Sequence, residues 1–308
     1  MTVVRAFRAS DAPHLCELFK TVYGANYFYP EVYLPSVFRQ YNETRQWHSV
    51  VAWQGERLVG HAMLRQMPDD QGCAELAMIV VHPSARGAGL AGLMGRRLCE
   101  YARQQRMALL TIKAVSSHAW SQRLALSLGF ITTGLLLDYV DSPLTQGRES
   151  AVLAVLPLQR QPIPRVKTDD VYPGWLDGLF DRFGSVAPGA LGAVGAALQV
   201  SAHERRLDLT LEDSQCPEVD EVALLPAGRL THLRVNMQGD LRTLLPRLHL
   251  AGYVNTGLTL GERRRWYWLL QRGFTRRRLE LSCPTARGLH AEACENVYGQ
   301  GVMASPAA

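Results

Sequence analysis

Six consecutive residues, Arg86-Gly87-Ala88-Gly89-Leu90-Ala91, are the part of this sequence best suited to holding an anion. A strand-like run ends just before them and a helical pattern begins just after. They therefore sit where a helix exposes unpaired backbone N–H groups and the positive end of its dipole. Glycine at 87 and 89 and the small Ala91 keep side chains out of the way of an approaching phosphate, and Arg86 adds a charged fork. Two other phosphate-binding turns are excluded by the surroundings. A P-loop carries Lys and then Ser or Thr after its last glycine, and here Leu90-Ala91 follow. A dinucleotide-binding turn follows the first strand and expects an acidic residue about 20 positions on, whereas this run follows the fourth strand.

The elements that would position this turn can be read from periodicity. Thr2 to Phe7 alternates as a strand, Ser10 offers an N-cap, and Leu15, Leu18, Phe19 and Val22 recur at helical spacing. Ser49 to Trp53 and Arg57 to Leu64, joined at Gln54-Gly55, read as a β-hairpin. A strand from about Cys73 to Val81 has the apolar density of one buried on both faces, and it ends at His82-Pro83. After the glycines come a helix (Leu90, Leu93, Met94, Arg97, Leu98, Tyr101) and a strand (Ala108 to Ala114). A second helix, His118 to Leu128, is closed by Gly129. Two more strands run near Phe130 to Tyr139 and Glu149 to Leu156. The fold class is α/β, a mixed sheet with flanking helices.

The Pro-containing stretch from Leu156 to Pro164 reads as a linker. The expected division is 1–157, a linker at 158–168, and a smaller α/β domain at 169–308. That domain starts with a helical pattern (Val171, Trp175, Leu176, Leu179, Phe180, Phe183). Strand-like stretches follow at Arg206 to Leu211, Glu221 to Leu225, His232 to Asn236 and Trp266 to Leu270. Gly252-Tyr253-Val254-Asn255-Thr256-Gly257 lines up with Gly129-Phe130-Ile131-Thr132-Thr133-Gly134, and a strand and a helix precede each, so the second copy reads as a degenerate repeat of the first domain's back half. Pro284 to Gly288 echoes Pro83 to Gly87, but Leu289-His290 follow in place of small residues, and the echo is accidental.

Composition narrows the class. In 308 residues, 47% hydrophobic and 20% charged content is that of a folded globular protein. The net charge of +5 comes from dispersed basic residues, and neither Arg263-Arg264-Arg265 nor Arg276-Arg277-Arg278 belongs to a recognisable nucleic-acid module, so no nucleic-acid partner is expected. Six cysteines without a CxxC pair argue against a metal site or a disulfide framework. The first residues show no signal pattern. The longest apolar tract, Val186 to Val200, is too short for a bilayer, so the expectation is a cytoplasmic protein with no membrane partner.

Taken with the order of elements, Arg86, Gly89 and Ala91 resemble the pyrophosphate loop of the GNAT acyltransferase superfamily, whose pattern is Arg/Gln-x-x-Gly-x-Gly/Ala. The resemblance covers residues 2 to about 157 and includes the Val81-His82-Pro83 lead-in and the Leu128-Gly129-Phe130 ending. It implies acetyl-CoA as acyl donor, no metal, and an N-acetyltransferase acting on a small amine or amino acid by direct attack in a ternary complex. A protein acetyltransferase and a non-catalytic acyl-CoA sensor are the alternatives. It also implies that the strand at Ile79, Val80 and Val81 splays from the next one to admit the pantetheine. Residues 86 to 91 (Arg86, Gly87, Ala88, Gly89, Leu90, Ala91) would then hold the pyrophosphate, with His118 and Ser121 as further coenzyme A contacts.

An ammonium cannot attack a thioester until it loses a proton, and Glu75, six residues before Val81, stands where some relatives place that base. Glu43 and Glu31 are weaker choices. Many relatives carry a tyrosine five residues before the Phe of Leu-Gly-Phe to protonate the departing thiolate. That position is Ala125 here, which leaves His118 as a proton donor. Tyr27 and Tyr29, in the aromatic cluster with Tyr23 and Tyr33, fall where the resemblance puts the acceptor pocket.

Overall fold

The structure is a computed structural model that describes residues 2–68, 70–142, 147–166, 174–187, 189 and 196–295. It divides into two compact units, residues 1–132 with 139–160, and residues 133–138 with 161–308. The first contains β1 (Thr2–Ala6), α1 (Ala12–Tyr23), α2 (Pro35–Glu43), β2 (Trp47–Gln54), β3 (Arg57–Met67), β4 (Asp70–Val81), α3 (Leu90–Gln104), β5 (Leu109–Val115), α4 (Trp120–Ser127), the ends of β6 (Ile131–Asp141), and β7 (Arg148–Pro157). Its strands lie in the order β1-β2-β3-β4-β5-β7. All these neighbours are antiparallel except β4 and β5.

Alternation along the strands feeds two cores. On one face, Val50, Leu64, Leu76 and Ile112 pack with Met94 and Leu98 of α3. On the other, Met63, Met78 and Val80 pack with Leu15 and Phe19 of α1 and Phe38 of α2. Asp11 rather than Ser10 stands at the N-cap position of α1, and its carboxylate bonds no amide of the helix; it accepts the Arg8 N–H of the preceding turn at 2.7 Å and pairs with Arg5 at 2.6 Å.

The second unit contains β8 (Ile163–Pro164), α5 (Gly174–Phe183), β9 (Ser185–Val186), β10 (Leu198–Ala202), β11 (Leu207–Leu211), α6 (Glu218–Leu224), β12 (Thr231–Asn236), α7 (Leu244–Leu250), β13 (Val254–Leu260), β14 (Trp266–Arg272) and α8 (Pro284–Glu295). The strand expected at Glu221 to Leu225 is helix α6 instead. Val219 and Val222 are buried one turn apart, and Glu218, Asp220 and Glu221 load its first turn with the charge that a helix N-terminus favours. Val171, at the head of the pattern that becomes α5, lies outside the described residues. Pro284 to Gly288 forms the first turns of α8.

The strand order β10-β11-β12-β14-β13 repeats β3-β4-β5-β7-β6, with helices at the same places in the chain and one parallel pair, β11 with β12. The glycines aligned in the sequence repeat do the same local work. Gly129 (φ +88) and Gly252 (φ +85) end α4 and α7 in the left-handed conformation. In each case the next residue donates back five positions, Phe130 to Ala125 and Tyr253 to Leu248, both at 3.0 Å. Among the described residues no helix is long and apolar enough to cross a membrane.

Candidate active site

β4 and β5 begin as partners and then part. Their ladder holds only at Cys73↔Leu109, Ala74↔Leu110 and Glu75↔Thr111, although β4 continues to Val81 and β5 to Val115. Beyond Glu75 the edge of β4 that faces β5 has no ladder, so amides around Ile79 to Val81 are available to a ligand inserted there. A bulge helps to turn β4 aside. The β3–β4 register shifts between His61 and Met63, and Met78 opposite takes φ +49, a conformation costly for a side-chain-bearing residue.

His61 holds that bulge. Its Nδ1–H donates to the Met78 carbonyl at 2.9 Å, and the ring is fully buried against Phe19 and Phe38. Burial pushes its pKa down to about 4. Because the unfolded imidazole titrates near 6.5, only the unfolded chain takes up this proton between pH 6.5 and 4. Stability is therefore whole above 6.5 and falls by up to about 3 kcal/mol as pH drops to 4. Denaturant unfolding at pH 7, 6, 5 and 4 should show that slope, and His61→Leu should flatten it by one proton's worth.

At the wide end of the slot lies the glycine turn. Gly87 (φ +82) and Gly89 (φ +71) are both left-handed, with nothing within 4 Å of where a Cβ would stand. Gly89 is the N-cap of α3 and its carbonyl accepts the first helical bond, from Leu93 at 3.0 Å, so the N–H groups of Leu90, Ala91 and Gly92 precede the helical ladder. Arg86 is exposed beside them, its Nε 3.4 Å from the Val81 carbonyl. His82 is anchored between Arg57 (2.6 Å) and Ser84 (2.7 Å) and fixes the entry to the turn. Open space, aligned donors and a guanidinium fit a pyrophosphate.

Glu75 sits at the closed end of the slot. Its carboxylate is bonded by Arg65 at 2.6 Å and by Lys113 at 3.1 Å, and these cations lie over the rings of Tyr29 and Tyr139. Burial alone would raise its pKa, but Lys113 and Arg65 outweigh it and hold the carboxyl below its ordinary value. A carboxylate shared by two cations is a poor proton acceptor. Glu75→Gln should cost about 2 kcal/mol at pH 7. The ion pairs are complete above the unfolded pKa near 4.5 and lost as pH falls through the lower folded value, so urea curves of variant and parent should converge as the folded carboxyl protonates.

The β5–α4 turn forms the other wall. Ser121 Oγ and the buried Gln122 Nε2 both donate to the Val115 carbonyl, at 3.4 and 3.1 Å. His118 is half-buried beside the exposed Trp120, and its Nδ1 is buried without a partner. Ala125 is buried in the α3-side core, so that position has no ionisable group. Tyr27 packs on Phe19 and Tyr23, with ring centroids at 5.0 and 4.7 Å, and its N–H donates to the Tyr33 hydroxyl. A cavity of about 1410 Å³ opens on the first unit, lined among others by Glu31, Tyr41, Trp47, Arg65, Glu75 and Lys113, and neither Tyr27 nor the glycine turn borders it.

Sequence reasoning passed over two polar residues near the slot. Lys113 interrupts the apolar strand β5, and that lone charge was an available signal; Glu149 lies in the polar Arg148-Glu149-Ser150 start of β7, which offers none.

No curated protein matches the chain. Among solved structures, the ribosomal-protein-S18-alanine N-acetyltransferase of Escherichia coli is 20% identical, covering 56% of this chain and 100% of its own, with a TM-score of 0.43. A Staphylococcus aureus N-acetyltransferase is 16% identical over 52% of this chain and 99% of its own, TM-score 0.46. A Salmonella typhimurium protein solved with its cofactor acetyl-CoA is 20% identical over 54% of this chain and 99% of its own, TM-score 0.46. Residues 13–130, within the first unit, match the acetyltransferase (GNAT) family, and that stretch is a GNAT acetyltransferase domain.

Proposed function

We propose that this protein transfers the acetyl group of acetyl-CoA to the amine of a small molecule or amino acid, by direct attack in a ternary complex. The observation that carries the reading is the parting of β4 from β5 beyond Glu75, with the glycine turn at the open end of the slot. In this reading the amides of residues 86–91 and the Arg86 guanidinium hold the pyrophosphate. The free edge at Ile79, Val80 and Val81 aligns the pantetheine and polarises the thioester carbonyl with fixed N–H dipoles, the arrangement that contributes most in acyl transfer.

Ser121 and His118 line the opposite wall, and His118, with its unpartnered Nδ1, relays a proton to the departing thiolate. Glu75, whose position in the chain suggested the base, serves here to tie β3, β4 and β5 together at the closed end. Tyr27 and Tyr29 belong to the packed aromatic layer between α1 and α2, which favours a small acceptor over an extended peptide. In the second unit β11 and β12 stay paired along the whole of β11, from Leu207↔Thr231 to Leu211↔Val235. With no slot between them, the donor site belongs to the first unit alone.

The test is thiol release from acetyl-CoA in the presence of a panel of amines, alongside calorimetric binding of coenzyme A. Turnover with at least one amine is expected. Clear coenzyme A binding with no turnover of any amine would sink the reading in favour of an acyl-CoA sensor, the role that the missing tyrosine at Ala125 suggests.

A further inference from the structure

We propose that Glu149 is the carboxylate that binds the acceptor's ammonium group and takes its proton, an assignment that rests on the acetyl-transfer reading above. Glu149 is only 7% exposed, and its Oε1 is buried without any hydrogen-bond donor. Burying a carboxylate oxygen with nothing to bond is expensive, and such a cost persists where a ligand completes the site. An ammonium group brings three donors and the opposite charge.

The register of β7 puts this residue at the mouth of the slot. Val115, the last residue of β5, stands opposite Ala151, and the Ser116 N–H donates to the Ser150 carbonyl at 2.9 Å. Glu149 therefore lies just past the end of β5, at the end from which β4 has already diverged. Alternation puts it on the same face as Ala151 and Leu153, and Leu153 pairs with Lys113, which bonds Glu75; this is the face α1 covers. From α1 comes Tyr23, its last residue, and from the pyrophosphate turn comes Arg86. Burial raises the Tyr23 pKa, Arg86 lowers it and Glu149 raises it, so both charges act on one phenol. The chain neighbour of Glu149, Arg148, is engaged with Asp141 and the Tyr139 carbonyl. The Tyr23 phenol thus feels both the Glu149 carboxylate and the Arg86 guanidinium on this face of the slot. Glu75 has the same charge, but both of its oxygens are already taken.

The step balances. The acceptor's ammonium gives one proton to Glu149 and becomes a neutral amine. Its lone pair forms the C–N bond to the thioester carbonyl, and the C–S bond breaks. The nitrogen's second proton passes by way of His118 to the departing thiolate. Glu149 then loses its proton to solvent.

Glu149→Gln keeps the shape and removes the charge. With spermidine, glucosamine, lysine, alanine and an alanine-first peptide as probes, the amine turned over fastest by the parent is used for pH profiles of kcat/KM. The expected result is a loss of at least 100-fold in kcat/KM and disappearance of the acid limb, with coenzyme A affinity unchanged by calorimetry. The melting temperature should stay within a few degrees of the parent, because the amide keeps the shape of the carboxylate and Oε1 has no donor to lose. Glu149→Asp, the check should the amide variant fold poorly, should keep the acid limb at a rate reduced about tenfold. A Gln variant within threefold of the parent that keeps its acid limb overturns the assignment, as does an Asp variant with no acid limb. A parent that binds coenzyme A and acetylates no probe overturns the acetyl-transfer reading itself, and that outcome is distinct from indifference of the variant.

Discussion

Gly89→Val should weaken coenzyme A binding by about 100-fold or more, equivalent to about 2.7 kcal/mol. Gly89 is left-handed at φ +71 and ψ 11, and it is the N-cap from which α3 begins. A β-branched residue resists that conformation by about 1–2 kcal/mol, so the turn must rearrange or hold strain. Its Cβ would also enter the space that now has no atom within 4 Å, in front of the first amides of α3. Both effects act on the phosphates and neither touches the core. The melting temperature should therefore fall little while calorimetric affinity collapses. Arg86→Ala should cost only about tenfold, because an exposed guanidinium contributes less than a set of aligned amides. If Gly89→Val bound coenzyme A as tightly as the parent, the turn would not be the pyrophosphate site.

The largest expected effect on stability is in the second unit. Residue 257 pairs with residue 134, so the two glycines that the sequence repeat aligns stand opposite each other across β13 and β6. A Cβ on Gly257 would lie 2.4 Å from the Thr133 carbonyl oxygen and 2.6 Å from Gly134 Cα, at φ +106. Backbone cannot yield as a flexible side chain can, and the dihedral is itself strained for alanine. Gly257→Ala should cost about 3–5 kcal/mol. Gly134→Ala meets the carbonyl oxygens of Leu258 and Thr256 at 2.9 Å without a positive φ, so about 2–3 kcal/mol is expected. Gly228→Ala, with nothing within 4 Å, is the neutral control. Denaturant midpoints should rank the variants in that order. A Gly257→Ala protein as stable as the control would mean that the close approach does not exist.

What the sequence by itself determined is local. The strand-turn-helix at Arg86 to Ala91, the hairpin at Gly55 and the matching glycine stops at 129 and 252 depend on backbone conformations that glycine alone adopts freely. Periodicity of 2 or 3.6 then marks what lies between them. The same limit explains the error at Glu221 to Leu225, where seven residues are too few for alternation and helical spacing to differ, and burial of Val219 and Val222 decided the outcome. The surroundings of the carboxylates were decided only by tertiary structure. Glu75 looked like a base because of its distance along the chain from Val81, yet its partners Arg65 and Lys113 lie 10 and 38 residues away and arrive on two other strands. Glu149 carries no motif at all. It stands out only because β7 brings it back to the end of β5 and the fold buries one of its oxygens without a donor. Backbone preference is a property of a residue and its neighbours and can be read along the chain. Desolvation and charge pairing depend on which distant groups the fold brings within a few ångströms, and they alone separate a carboxylate that holds strands together from one left open to an amine.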